Sequence, residues 1–311
     1  MSKVALRLYN REIEALIDQG HIDEAVAHCQ HILKTYPKHI DTYRLLGKAH
    51  LESHHYTDAA DIFQRVLLAV PDDFVSHLGM SIVCDEQKDL DGAIWHMERA
   101  FEISSTNTGV QGELRRLRGR RDGMEPPKIQ LTRGALAQIY AKGGEYQQAI
   151  AEIKAVLAED ESRSDMKALL ARAYFRAGMR NEATEACIEL LKQYPYSLEA
   201  NRILVEILPG TSMAQGVDQY KRRIESLDPY LAMVSGSVFE TDGIPDNAVT
   251  IERFEWDASA QPVASWNMPA DAGDSNKPEE APEASAEEIP DWMKQSGWGQ
   301  STGEFKEGPV N

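Results

Sequence analysis

Nine histidines, three cysteines and a run of arginines have the greatest chemical reach in this chain. The histidines all precede residue 97, and the pairs His28/His31 and His50/His54 have spacings that bring two imidazoles to one helical face, as a metal site requires. No Cys or carboxylate set converges with them, so no metal site is expected, and His50 falls at a packing position. Cys29, Cys84 and Cys187 are odd in number, far apart and embedded in apolar-periodic segments. They read as reduced, buried thiols and not as nucleophiles or a disulfide frame. Five arginines, Arg115, Arg116, Arg118, Arg120 and Arg121, lie within seven residues. Such a cluster can grip phosphates or carboxylates bidentately, which would suit RNA or another anion. Lacking interleaved aromatic residues for base stacking, it reads better as a continuation of the preceding helix whose arginines solvate a surface or pair with nearby acids. There is no glycine-rich phosphate loop, no Gly-x-Ser-x-Gly and no His-Glu-x-x-His. The residues point to no enzyme and to no cofactor.

The whole chain sets the background for these groups. Its 311 residues carry 50 acidic and 33 basic side chains, a net charge of −17, which opposes sequence-independent binding to nucleic acid. No stretch approaches the roughly 20 apolar residues that span a bilayer. The N-terminus runs directly into an amphipathic segment with Arg7, Arg11 and Glu12, and the expectation is a cytoplasmic protein.

The elements that must position these residues announce themselves by repetition. Ala25, Ala59 and Ala93 close similar phrases 34 residues apart, and the phrase returns at Ala149 and Ala183, again 34 apart. Pro37, Pro71 and Pro195 keep the same phase, twelve residues beyond the alanine. Tyr43, Leu46, Gly47 and His50 share one helical face, and Ala59, Ile62, Phe63, Val66 and Leu67 another. Each unit therefore reads as helix, turn, helix and stop: the small residue allows close approach of two backbones, and proline ends the second helix.

On Tyr43, Leu46-Gly47, His50, Ala59, Phe63, Val66 and Pro71 the chain resembles the tetratricopeptide-repeat family. In this register, residues 1–107 hold units one to three and residues 108–129 form a basic, Pro-containing insertion. Residues 130–231 hold units four to six, the sixth degenerate and capping, with Pro209-Gly210 in its central turn. The resemblance implies an all-α, right-handed solenoid of helical hairpins whose first helices line a concave groove, and a role in holding other proteins. Carried over by position, the groove would be lined by Arg11, Arg44, Lys48, Leu78, Ile82, Gln138, Arg172, Phe175, Arg176 and Arg202, a face suited to an acidic or amphipathic peptide. One subgroup of the family grips a C-terminal carboxylate at positions occupied here by Asn10, Glu14, Val75 and Gly79. That departure removes chaperone-tail binding from consideration.

From about residue 232 the helical period stops. Residues 232–311 hold seven of the fourteen prolines and a net charge of −12, a disordered composition. Four of five tryptophans also lie there. Residues 287–298 read as a short docking helix with Pro290 at its start, Ile289, Trp292 and Met293 on one face, and Trp298 beyond Gly297. Further upstream, Val249 to Trp256 could form a strand, a docking segment or a patch on the last hairpin. The expectation is a non-catalytic scaffold whose groove holds a peptide or partner segment, possible partners including its own tail, and whose tail presents a linear motif. The alternatives are an accessory subunit of an enzyme or envelope-assembly complex, and RNA or anion association through the arginines.

Overall fold

The alanines that mark the period sit where helices touch: Ala25, Ala59, Ala93, Ala149 and Ala183 are all fully buried. This computed structural model describes residues 3–211, 214–241 and 243–257. Among the described residues five complete hairpins are formed by α1 (Leu6–Asp18) with α2 (Ile22–Thr35), α3 (Ile40–Glu52) with α4 (Tyr56–Ala69), α5 (Phe74–Glu86) with α6 (Leu90–Ile103), α8 (Arg133–Lys142) with α9 (Tyr146–Glu159), and α10 (Ser164–Arg176) with α11 (Arg180–Gln193). A sixth pairs α12 (Leu198–Ile207) with α13 (Val217–Leu227), and α7 (Thr108–Asp122) stands between the two halves.

The turn inside each complete hairpin needs one residue with positive φ. It is Gly20, Gly144 or Gly178 in three units and His54 (φ 59°) or Lys88 (φ 66°) in two. Gly47 and Gly79 answer a different demand. A Cβ on Gly47 would lie 2.7 Å from the Phe63 ring and one on Gly79 2.3 Å from it, so the ring occupies space that two first helices leave open.

The arginine-rich insertion is a separate helix, not an extension of α6. Helix α6 stops at Ile103, and the Asn107 side chain accepts the Val110 N–H at 3.1 Å to start α7, which ends at Gly123 with φ 81°. Helices α3, α5 and α7 begin at Ile40, Phe74 and Thr108, each 34 residues after the last, so α7 is in phase as the first helix of a further unit that has no second helix. Val110, Leu114 and Leu117 bury its apolar side in the core of the third unit.

The folded body extends past residue 232, where the composition had suggested that disorder begins. Pro229–Met233 forms a 3-10 turn, and β2 (Thr250–Glu252) pairs antiparallel with β1 (Lys3–Ala5), Val4 opposite Ile251. The strand packs on the first hairpin, where Val249 and Ile251 join the core of units one and two. Leu227 and Tyr230 of the last unit enter the same cluster, Tyr230 accepts the Arg7 N–H at 3.2 Å, and Lys38 lies 3.5 Å from the Tyr196 ring centre. The first and last units are therefore in contact, and the solenoid closes on itself.

Candidate partner-binding groove

The basic residues of the first helices are neutralised from within. Arg44 donates to Asp73 at 2.8 Å and to Asp41 at 2.6 Å; burial alone would lower its pKa, and the two carboxylates outweigh that. Lys48, 3% exposed, donates to Asp18 at 2.8 Å. Arg172 donates to Glu199 at 2.7 Å and across the molecule to Asp72 at 3.2 Å. Arg11 is half exposed and paired with Asp246 at 3.4 Å, and Arg202 is half-buried close to Asp228. Besides the buried Lys48, two expected groove residues line no surface. Leu78 is fully buried in the cluster that contains Val110, Leu114 and Leu117 of α7, and Gln138 is 5% exposed. Ile82 is half-buried against that same core.

Phe175 and Arg176, at the end of α10, meet the chain's own C-terminal segment, Phe175 half-buried and Arg176 exposed. The Phe239 ring stacks on Phe175 with centroids 5.5 Å apart and planes at 27°, and the Arg176 guanidinium lies 5.5 Å from the same ring. Beside them the Val238 N–H donates to the Glu206 carboxylate of α12 at 2.6 Å. No sequence signal marks Phe239, which lies outside the repeat.

A second strap covers the first hairpin. His31 Nε2 donates to the Glu252 carbonyl at 2.7 Å, Phe254 stacks on His31 with centroids 5.5 Å apart, and the Phe254 N–H donates to the Tyr9 hydroxyl at 3.1 Å. Tyr9 in turn meets His28 Nδ1 at 2.7 Å, and Arg253 pairs with Glu12 at 2.7 Å. His28 and His31 thus hold chain, as packing and hydrogen-bonding groups.

The arginines of α7 are equally occupied. Arg116 donates to Asp85 at 2.8 Å and Glu113 at 2.6 Å, and Arg120 binds the same Asp85. Arg118 donates to Glu98 at 2.6 Å, Arg121 to Asp122 at 2.7 Å, and Arg115 to the Pro126 carbonyl at 2.9 Å. This is the ion-paired surface that the absence of aromatic residues implied.

Two further features lie at the junction of the two halves. Glu102, 3% exposed, accepts from Arg99 at 3.1 Å and from Arg163 at 2.5 Å, and Arg163 also holds Asp165 at 2.6 Å. Burial alone would raise the Asp165 pKa, but Arg163 outweighs it and keeps the carboxyl below its ordinary value. Nearby, His77 and His96 meet Nδ1 to Nδ1 at 3.0 Å beside a cavity of about 250 Å³ that Trp95 and Met80 help to line. His77 Nε2 donates to the Pro71 carbonyl at 3.0 Å, so its Nδ1 is the acceptor and His96 the donor. Burial lowers both pKa values, that of His96 to about 3 with help from His77 and Arg99. Burial also pushes the three cysteine thiols up, away from thiolate chemistry.

Ile289, Pro290, Trp292, Met293 and Trp298 lie outside the described residues. Among the described residues, no helix is long and apolar enough to cross a membrane and no group of three or more His, Cys, Asp or Glu is placed to hold a metal ion.

A family model described as tetratricopeptide repeat matches residues 16–77 and 140–207. No curated protein matches the chain. Among solved structures, MamA from AMB-1 is 17% identical, with 60% of this chain and 96% of that one covered and a TM-score of 0.29. PilW, described as a type IV pilus biogenesis factor, is 15% identical over 72% and 94% of the two chains, with a TM-score of 0.32. A tetratricopeptide repeat protein from Parabacteroides merdae is 13% identical over 71% and 78%, with a TM-score of 0.31. Likenesses of this size carry no functional argument.

Proposed function

Because the chain belongs to the tetratricopeptide-repeat family, we propose that it is a non-catalytic scaffold that holds a segment of a partner protein on its first-helix face and offers the motif around Trp292 to a second partner. The observation that carries this reading is the surface built by Phe175, Arg176 and Glu206. It combines an aromatic ring, a cation and a carboxylate acceptor on two adjacent first helices, and a turn of the chain's own C-terminal segment already packs on it. That is the donor, acceptor and apolar mix that peptide recognition uses. The other groove cations, Arg44, Lys48 and Arg172, are engaged in ion pairs within the chain, which favours the α10–α12 end over the whole face as the binding surface.

In the tail, Ile289, Pro290, Trp292, Met293 and Trp298 supply an amphipathic docking element of a kind that binds grooves. Ion pairing of the α7 arginines within the chain favours protein over RNA as the bound class. The reading is tested by affinity purification of the full chain from its native lysate, with cross-linking and mass spectrometry. Trp292→Ala together with Trp298→Ala should remove one set of partners, and Phe175→Ala together with Arg176→Ala a different set. Equal recovery from all three chains, or no enriched protein, would defeat the proposal.

A further inference from the structure

His77 and His96 occupy two places of the repeat whose side chains meet across a hairpin, the later one 19 residues after the earlier. In the first unit the Tyr9 hydroxyl lies 2.7 Å from His28 Nδ1, in the fourth Arg133 donates to Glu152 at 3.2 Å, and in the third His77 Nδ1 stands 3.0 Å from His96 Nδ1. Tyr43 and Ile62 hold these places in the second unit and Lys167 and Ala186 in the fifth, so hairpin packing calls for histidine at neither. The earlier place has a further duty, which is to donate to a carbonyl six residues back. Tyr43 donates to Pro37 at 2.9 Å, Gln111 to Ser105 at 2.6 Å and Asn201 to Pro195 at 3.0 Å, and His77 uses Nε2 on Pro71 at 3.0 Å. That bond fixes the His77 ring and its tautomer and leaves Nδ1 as a lone-pair donor, the arrangement that a carbonyl imposes on a metal-bound imidazole. Met80, one turn beyond His77 on α5 and half-buried, borders the cavity of about 250 Å³ beside the pair. Because the two histidines come from different helices, no spacing along one helix marks them.

We propose that His77 Nδ1 and His96 Nδ1 bind a single Cu(I) ion, with the Met80 thioether as third ligand. The ion takes the place of the proton that lies between the two nitrogens. His96 moves that proton from Nδ1 to Nε2, so both rings stay neutral, both Nδ1 lone pairs face one point and no proton is released. A metal–nitrogen bond is about 2 Å long, so a near-linear N–Cu–N unit sets the nitrogens about 1 Å further apart than they stand in the hydrogen bond. His96 is half-buried at the edge of the cavity and has the space to make that movement, whereas His77 is buried and tied to Pro71. The donor set selects the ion. Calcium and magnesium demand many oxygens, and zinc demands a filled tetrahedron of thiolate, imidazole or carboxylate. Asp165, on the same cavity, is held by Arg163 at 2.6 Å and is not free to supply such a ligand. Two imidazoles and a thioether suit the softer Cu(I), which is satisfied by two or three ligands.

The probe is Cu(I) itself, offered to the full chain as its bicinchoninate complex without oxygen, with loss of the complex's visible absorbance reporting transfer. One equivalent should pass to the chain. X-ray absorption at the copper edge of the unaltered chain, which needs no folding control, should show two short Cu–N bonds and a longer Cu–S bond. His96→Ile and His77→Tyr install the residues that the second unit already packs at these places, Ile62 and Tyr43. Both variants should keep their helical circular dichroism and hold Cu(I) at least about tenfold more weakly. Met80→Leu should lose the Cu–S bond and keep both Cu–N bonds, and a Cu–S bond that survives it would overturn the third ligand. Absence of transfer, copper bound by sulfur alone, or full affinity in folded His96→Ile would overturn the proposal, the last two by placing the ion on cysteines or on other histidines. So would a chain that takes Zn²⁺ at this pair in preference to Cu(I).

Discussion

Arg172 and Asp72 are one hundred residues apart in the chain and 3.2 Å apart in space, and the contact joins the fifth unit to the turn after the second. The Arg172 guanidinium is held charged above its ordinary range by Glu199 first and by Asp72 in addition. Replacing it with alanine leaves two shielded carboxylates without their counter-ion. Arg172→Ala should cost about 1–3 kcal/mol, the scale of losing hydrogen bonds to a charged group, read as a fall in urea midpoint with an unchanged slope. A midpoint identical to that of the parent chain would mean that the ring closes without this pair.

The Phe63 ring fills the space above Gly79, where an added Cβ would stand 2.3 Å from it. Phe63 is fully buried and has nowhere to retreat without displacing its neighbours. Gly79→Ala should therefore destabilise by about 1–3 kcal/mol, as overpacking of a dense core does, although alanine is the better helix former. Thermal unfolding would check the sign: a raised Tm would show that helix propensity wins.

Acid should begin to weaken the fold at a pH above the range in which ordinary carboxylates titrate. In the native chain burial holds His77 and His96 neutral, the latter with a pKa of about 3, while in the unfolded chain imidazoles titrate near 6.5. Between those values the unfolded state binds more protons, so stability is complete above about pH 6.5 and declines as pH falls toward 3. Buried His39 and half-buried His50 act in the same direction. Asp73 and Asp165, whose pKa values are depressed, withdraw their contribution only as pH falls below the ordinary aspartate value of about 3.9. His96→Gln should flatten part of the slope of Tm against pH between 6.5 and 4.5, and an undiminished slope would remove this pair from the account.

Val249 and Ile251 are each 5% exposed within the core of the first two units. Burying two such side chains contributes about 3–6 kcal/mol as an upper figure. A chain ended at residue 242 should therefore unfold at lower denaturant than one ended at 257, and the amides of α1 should exchange faster in the shorter chain. Equal protection of α1 in both would show that the strap covers the hairpin without supporting it.

The repeat was legible because its physical requirement recurs at one phase: wherever two helices of a hairpin cross, only a small side chain fits, and Ala25, Ala59, Ala93, Ala149 and Ala183 are all fully buried. The identity of α7 was less visible. Its start is in phase, but the arginines mask the apolar positions Val110, Leu114 and Leu117, and nothing local to the sequence distinguishes a new helix from a longer old one. The groove was the least legible part. Positions transferred from a family assume an open face, and the structure buries three of them: Leu78, whose core includes residues of the extra helix, Lys48 and Gln138. Arg44 and Arg172 are bound to acids of the chain's own turns, Asp73 and Asp72, which follow a helix and belong to no face. Val249, Ile251 and Phe239 could not be placed because a non-periodic segment reveals its partner only when the chain ends meet.

Contact between the first unit and the last changes what kind of polymer this is. An open solenoid is a line of neighbours, stable as a sum of pairs, free to fray at either end and tolerant of gaining or losing a unit. Here Leu227 and Tyr230 complete the core begun by Leu6 and Tyr9, so neither terminus is an end in that sense. The number of units becomes a closure condition, as the number of staves is for a cask: one more or one fewer moves every seam. Evolution by repeat duplication, open to a linear array, would disturb the contact between the first unit and the last in this chain.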